Sequence, residues 1–136
     1  MEVFEQFILV PNLARTADLV AGTNIPDQRA MGATGLIITV HVATAGTSTL
    51  TLRIFGKEPF EGTYYQINID VSLVAGRNVT LVCPGVSKQP PGESASTLST
   101  NVKQVVGIAC PDTWNVSFIK GDASSWTFGA IAQRVP

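Results

Sequence analysis

Charge is what this sequence has least of. Lys and Arg number 9 and Asp and Glu 10 in 136 residues, 14% together with a net charge of -1, where an ordinary soluble domain carries about 25%. The basic residues, from Arg15 to Arg134, are scattered, so no basic stripe faces a phosphate backbone and no nucleic-acid partner is expected. One histidine, His41, and two cysteines, Cys83 and Cys110, fall short of the roughly four ligands of a tetrahedral zinc site. Glu2 and Glu5 stand where an export signal needs cations, and two reduced thiols are therefore favoured over one bridge. No apolar run approaches the roughly 18 residues of a membrane span, so no membrane partner is expected.

What the chain has in quantity is alternation of period two. Residues 35–56, GLIITVHVATAGTSTLTLRIFG, place Leu36, Ile38, Val40 and Val42 on one face and, after Ala45-Gly46-Thr47, Leu50, Leu52 and Ile54 on another. This predicts two strands joined by a short turn, a hairpin that needs further sheet to be stable. Residues 3–10 read as a first strand without a clean face, and 17–21 as a short one. Residues 63–74 alternate best, with Tyr65, Ile67, Ile69, Val71 and Leu73 inward and Tyr64 outward. In VTLVC the inner row is Val79, Leu81 and Cys83; 84–96 is an exposed loop, and 97–110 reads equally as a strand around 102–109 or a helical turn. Two closing strands carry the inner rows Trp114, Val116, Phe118 and Trp126, Phe128, Ala130, Ala132. About eight short strands with turn signals between them predict one all-β domain over 1–136. The expected architecture is a single antiparallel β-sandwich, with a jelly roll as one form and two long loops.

Between Pro11 and Thr34 the alternation weakens, and Gly22, Pro26, Gly32 and Gly35 break what remains. A loop of this length in a compact domain is an ordinary surface loop or one that meets a partner. On the second reading the contact residues are Thr23, Asn24, Ile25, Pro26, Asp27, Gln28, Arg29 and Met31, with 1–34 serving as an assembly arm. Catalytic patterns are missing. His41 has no second base beside it, no Gly-x-Ser-x-Gly elbow or phosphate loop occurs, and Glu58, Glu61 and Asp70 are too spread to read as a glycosidase pair. Neither catalytic residues nor a metal or cofactor site is expected, and the chain is not read as an enzyme. Tyr64, Tyr65, Trp114 and Trp126 form either a sugar-stacking platform or, for the two tryptophans, part of the core. A weakly charged surface suits a protein that lives inside an assembly, and equally a sheet protein with 23 Ser and Thr on its faces.

From Gly35 to Val82 the chain runs through GLIITVHV, TLTLRIFGKEP, Tyr64-Tyr65 and a closing VTLVCPGV. Together with the later TWNVSFIKGDASSWTFGAIA, this resembles small β-sandwich proteins encoded among the virion genes of tailed bacteriophages. The similarity covers about two thirds of the chain and lies in strand and turn patterns rather than catalytic letters. It implies a head-decoration or cement protein on the capsid exterior, made in the host cytoplasm. Its partners would be the major capsid protein or other virion proteins, and it would be a homo-oligomer, a trimer if it sits at three-fold positions. A neck or tail component is the alternative within that group, and a carbohydrate-binding module the alternative outside it.

Overall fold

The structure, a computed structural model, describes residues 6–68, 70–82 and 110–135, and the backbone of 102–105. Among the described residues ten strands follow in chain order: β1 (Gln6–Arg15), β2 (Gln28–Arg29), β3 (Gly35–Thr44), β4 (Leu50–Lys57), β5 (Tyr64–Gln66), β6 (Val71–Ser72), β7 (Gly76–Val82), β8 (Val102–Val105), β9 (Thr113–Lys120) and β10 (Trp126–Val135). The first sheet has the order β1-β10-β3-β7-β8, and the second β2-β9-β4-β5 with β6 also on β4. All pairs are antiparallel except β7 with β8. If β8 is set aside as an insertion and β5 and β6 are counted as one interrupted strand, eight strands remain, ordered 1-8-3-6 over 2-7-4-5. That order is the double Greek key of a jelly roll.

The core lies between the sheets and is built from the alternating rows. Leu36, Ile38, Val40 and Val42 of β3 and Ala130 and Ala132 of β10 meet Leu50, Leu52 and Ile54 of β4 and Val116 of β9. Phe118 and Phe128 join the two sheets with ring centroids 5.0 Å apart. These residues are at most 2% exposed. Burying a side chain of this size stabilises by about 1.5–3 kcal/mol.

Four sequence expectations are corrected. Residues 35–56 are not a hairpin: β3 and β4 belong to opposite sheets. Two apolar rows that face one core look alike whether their strands are neighbours or lie across it, so alternation alone could not separate the cases. The connection at 45–49 crosses over the 121–125 turn, where Thr47 Oγ1 donates to Asp122 Oδ2 (3.1 Å) and the Gly121 N–H to the Thr49 carbonyl (2.9 Å). The strand expected at 63–74 is broken between β5 and β6. There the Asn68 side chain replaces a ladder rung, accepting from the Ile54 N–H (2.8 Å) and donating to the Leu52 carbonyl (3.1 Å). In β7 the inner row is Asn78, Thr80 and Val82, one residue out of step with expectation. Asn78 goes inward because Val74 N–H and the Val74, Gly76 and Val40 carbonyls satisfy its amide. Finally, β1 runs through Pro11, which an edge strand tolerates at a bulge, and register shifts occur on both sides of Val10. The expected loop at 84–96 and the inward Cys83 and Ile69 lie outside the described residues.

Candidate partner-contact site

The segment expected to be a contact loop is largely tied down. Leu19 exchanges backbone hydrogen bonds with Phe118 (3.0 and 2.8 Å), and the Val20 carbonyl accepts from Thr23 and Asn24 while Asn24 Oδ1 accepts from the Val20 N–H. Gly22 turns the chain at φ 80°. Ile25 is 3% exposed and belongs to the core, and Gln28 and Arg29 form β2 against Trp114 and Thr113. Of the eight expected contact residues, Thr23, Asn24, Pro26 and Met31 present exposed side chains. Arg29 is exposed as well, but it pairs with Asp112 at 3.0 Å. Gln28 is half-buried, its amide turned back onto the Pro26 carbonyl (2.8 Å). Removing 23–33 would take out a core residue and a strand, so the segment cannot be a detachable arm.

Asp27 explains why the segment is fixed. Its Oδ2 accepts from Lys57 Nζ (2.8 Å), and its Oδ1 accepts from Asn115 Nδ2 (2.8 Å) and from the Tyr64 hydroxyl. Lys57 also lies 5.3 Å from the Tyr64 ring centroid. Partial burial pushes the Asp27 carboxyl up, but the three hydrogen bonds and the Lys57 charge pull it further down, below the ordinary carboxylate range. Tyr64 is pushed up by burial and by its bond to Asp27. Both partners of the Lys57–Asp27 pair therefore stay ionised at neutral pH, and the cluster serves as a clamp between β2, β4, β5 and β9.

Beyond the clamp, residues 58–63 form a compact turn. The Glu58 carboxylate accepts the backbone N–H groups of Phe60 (2.9 Å), Glu61 (2.6 Å) and Thr63 (3.1 Å), and Gly62 closes the turn at φ 75°. These bonds, the one from Thr63 foremost and against some desolvation, hold the Glu58 carboxyl below its ordinary value. Phe60 stands at the tip, 92% exposed. Sequence reasoning missed this side chain, because the Pro and Gly that mark a turn do not state how far the residue between them projects. Met31 lies at the same end of the second sheet, since the chain leaves β2 and β4 where β9 begins.

A second surface is the outer face of the first sheet. Ile8 and Ile131 are paired across β1 and β10, 71% and 47% exposed, and Ile37, Val79 and Leu81 continue the face half-buried. His41 lies on it between Gly129 and Arg77. Trp114 and Trp126 lie in the core as their rows predict, at 0% and 3%, while the tyrosines are corrected: Tyr65 rather than Tyr64 is exposed, at 44%.

No family model matches this chain, and no curated protein matches it. Among solved structures it is similar to the T13 viral particle of infectious bursal disease virus, at 12% identity and a TM-score of 0.36 over 97% of this chain and 26% of the viral one. A structure of the Gx strain of infectious bursal disease virus gives 15% identity and a TM-score of 0.32 over 97% and 28%. The chain thus spans about a quarter of the length of those viral chains. The jelly-roll assignment stands on this chain's own strand order.

Proposed function

We propose that this chain is a non-enzymatic structural protein of a virion, binding the capsid exterior of a tailed bacteriophage as a decoration or cement protein and associating with further copies of itself. The observation that carries the reading is the outer face of the first sheet, where Ile8, Ile131, Ile37, Val79 and Leu81 present apolar side chains around Thr39 and Gln133, with His41 and Arg77 toward one end. Exposed apolar side chains gathered on one sheet face suit protein contact. The scarcity of charge points the same way, because the buried centres of interfaces are depleted in charged groups. A cement protein works by multiplicity: many weak contacts spread over a shell must break together before its subunits separate. The sugar-binding alternative loses support with the burial of both tryptophans.

Cryo-electron microscopy of particles containing this chain tests the reading. Regular copies over the outer shell are expected. A single ring at the neck or tail would keep the virion role and replace cementing with connection, and particles without the chain would overturn both.

A further inference from the structure

We infer that Phe60 is a preorganised anchor that inserts into an apolar pocket with a basic rim on another virion protein. This rests on the structural role proposed above. The ring is the most exposed large apolar side chain among the described residues, at 92%, yet the backbone beneath it is held fast. Three N–H groups converge on the Glu58 carboxylate, the Glu58 N–H donates to the Thr63 carbonyl (3.0 Å), and the Gly62 N–H donates to the Glu58 carbonyl (3.1 Å). Pro59 fixes one further dihedral. A loop already ordered in its binding shape loses little entropy on association, and rigid aromatic side chains in desolvated pockets are where binding energy concentrates.

The charges around the tip select the partner. Glu61, next to Phe60 in the chain, is exposed, the Glu58 carboxylate lies on the N–H groups of the same turn, and the adjacent cation, Lys57, is already matched by Asp27. A second copy meeting this tip about a two-fold axis would bring like charges together, whereas a socket rimmed by Lys or Arg would complement them. Met31 adds a second apolar side chain at the same end. It is 74% exposed and held at φ 54°, followed by Gly32 at φ 83°, with the Ala33 N–H donating to the Ala30 carbonyl (2.9 Å). Those are the φ signs of a type I′ turn, whose first central position ordinarily takes Asn, Asp or Gly. The methionine there presents apolar surface from a conformation that disfavours it.

The test adds the purified full chain to phage particles assembled without it and measures binding by sedimentation. F60A is expected to bind about thirtyfold more weakly than wild type, and F60L to stay within about fivefold. E61K is expected to associate about fivefold more slowly at low salt, the difference vanishing near roughly 0.5 M salt. Thermal melts of F60A should match wild type, because the ring lies at the exposed tip of the turn. Equal binding of F60A and wild type would overturn the anchor alone. Failure of the wild-type chain to bind would overturn the virion reading and the anchor with it. A wild-type oligomer that F60A converts to monomer would assign the side chain to self-association and overturn the proposed partner.

Discussion

Replacing Asn115 by leucine tests whether the chain from Leu19 to Arg29 is part of the fold or an attachment to it. Asn115 is fully buried in β9, and its amide makes three bonds: Nδ2 donates to the Ile25 carbonyl and to Asp27 Oδ1, each at 2.8 Å, and Oδ1 accepts from the Val116 N–H at 2.8 Å. Leucine has the same number of side-chain heavy atoms but is larger and forms no hydrogen bond, so the lost hydrogen bonds set a lower bound to which overpacking adds. The Ile25 carbonyl keeps a second donor in the Gly22 N–H (2.8 Å), and Asp27 keeps Lys57 and Tyr64. Val116, itself fully buried, would lose the side-chain acceptor of its N–H. Two lost bonds at about 1 kcal/mol each and one unsatisfied buried donor at about 1–2 kcal/mol give a loss of at least about 3 kcal/mol. That corresponds to a fall in Tm on the order of 10 °C for a chain of this size. The urea midpoint measures the total, and amide exchange over 19–29 locates it, because that segment should lose protection before the strands of the first sheet. A loss below about 1 kcal/mol, or exchange that speeds up everywhere alike, would refute the clamp.

Three further outcomes follow from the packing and the titrating groups. Gly129→Ala should cost about 2 kcal/mol, read as a lowered urea midpoint, since a Cβ there would stand 2.9 Å from the Asn12 backbone N and Cα and push β1 off β10. Asp27 titrates below its unfolded value, so its contribution is complete above about pH 4 and is lost as pH falls through the folded pKa. Asp27→Asn should therefore flatten the acid limb of a stability titration and leave its slope above about pH 5 unchanged. Cys110 is a free thiol pushed up to about 11, by burial first and by Asp112 against the opposing charge of Arg134. In a Cys83→Ser variant, iodoacetamide at about pH 8 should leave the native protein unlabelled and react once it is unfolded.

The strands were legible where one row is wholly apolar. The inner rows of β3, β4, β9 and β10 stand where alternation placed them, because nothing polar competes for those positions. Alternation failed wherever a side-chain amide stands in for backbone. Asn68 interrupts the strand that read best, Asn78 reverses the facing of β7, and Asn115 holds a segment that looked like an open loop. Each is satisfied by groups distant in sequence or around a turn, which a local pattern cannot register. The pairing of β1 with β10 and of β3 with β10, rather than β3 with β4, is likewise a property of closure. Of the candidate site, the low charge and Met31 were readable, but Phe60 was not, since a turn's composition does not state how far its side chains project.

The same strand order constrains how copies can meet. An unpaired sheet edge invites open-ended strand addition, and two edges of this chain are blunted. At β1 two register shifts flank Val10, Pro11 offers no N–H, and Arg15 Nη2 donates to the Pro11 carbonyl (2.6 Å). At β9 the two-residue β2, the Leu19 bridge and the side chains of Asn115 and Ser117 cover the edge from 113 to 118. With those edges closed, the proposed contacts between copies are left to side chains on the outer sheet face, and the loop end that bears Phe60 and Met31 is left to the other virion protein. Such contacts are specified by shape and charge, and they saturate when their sites are filled. In the proposed role, a subunit that covers a shell once without growing into fibres needs contacts of that kind.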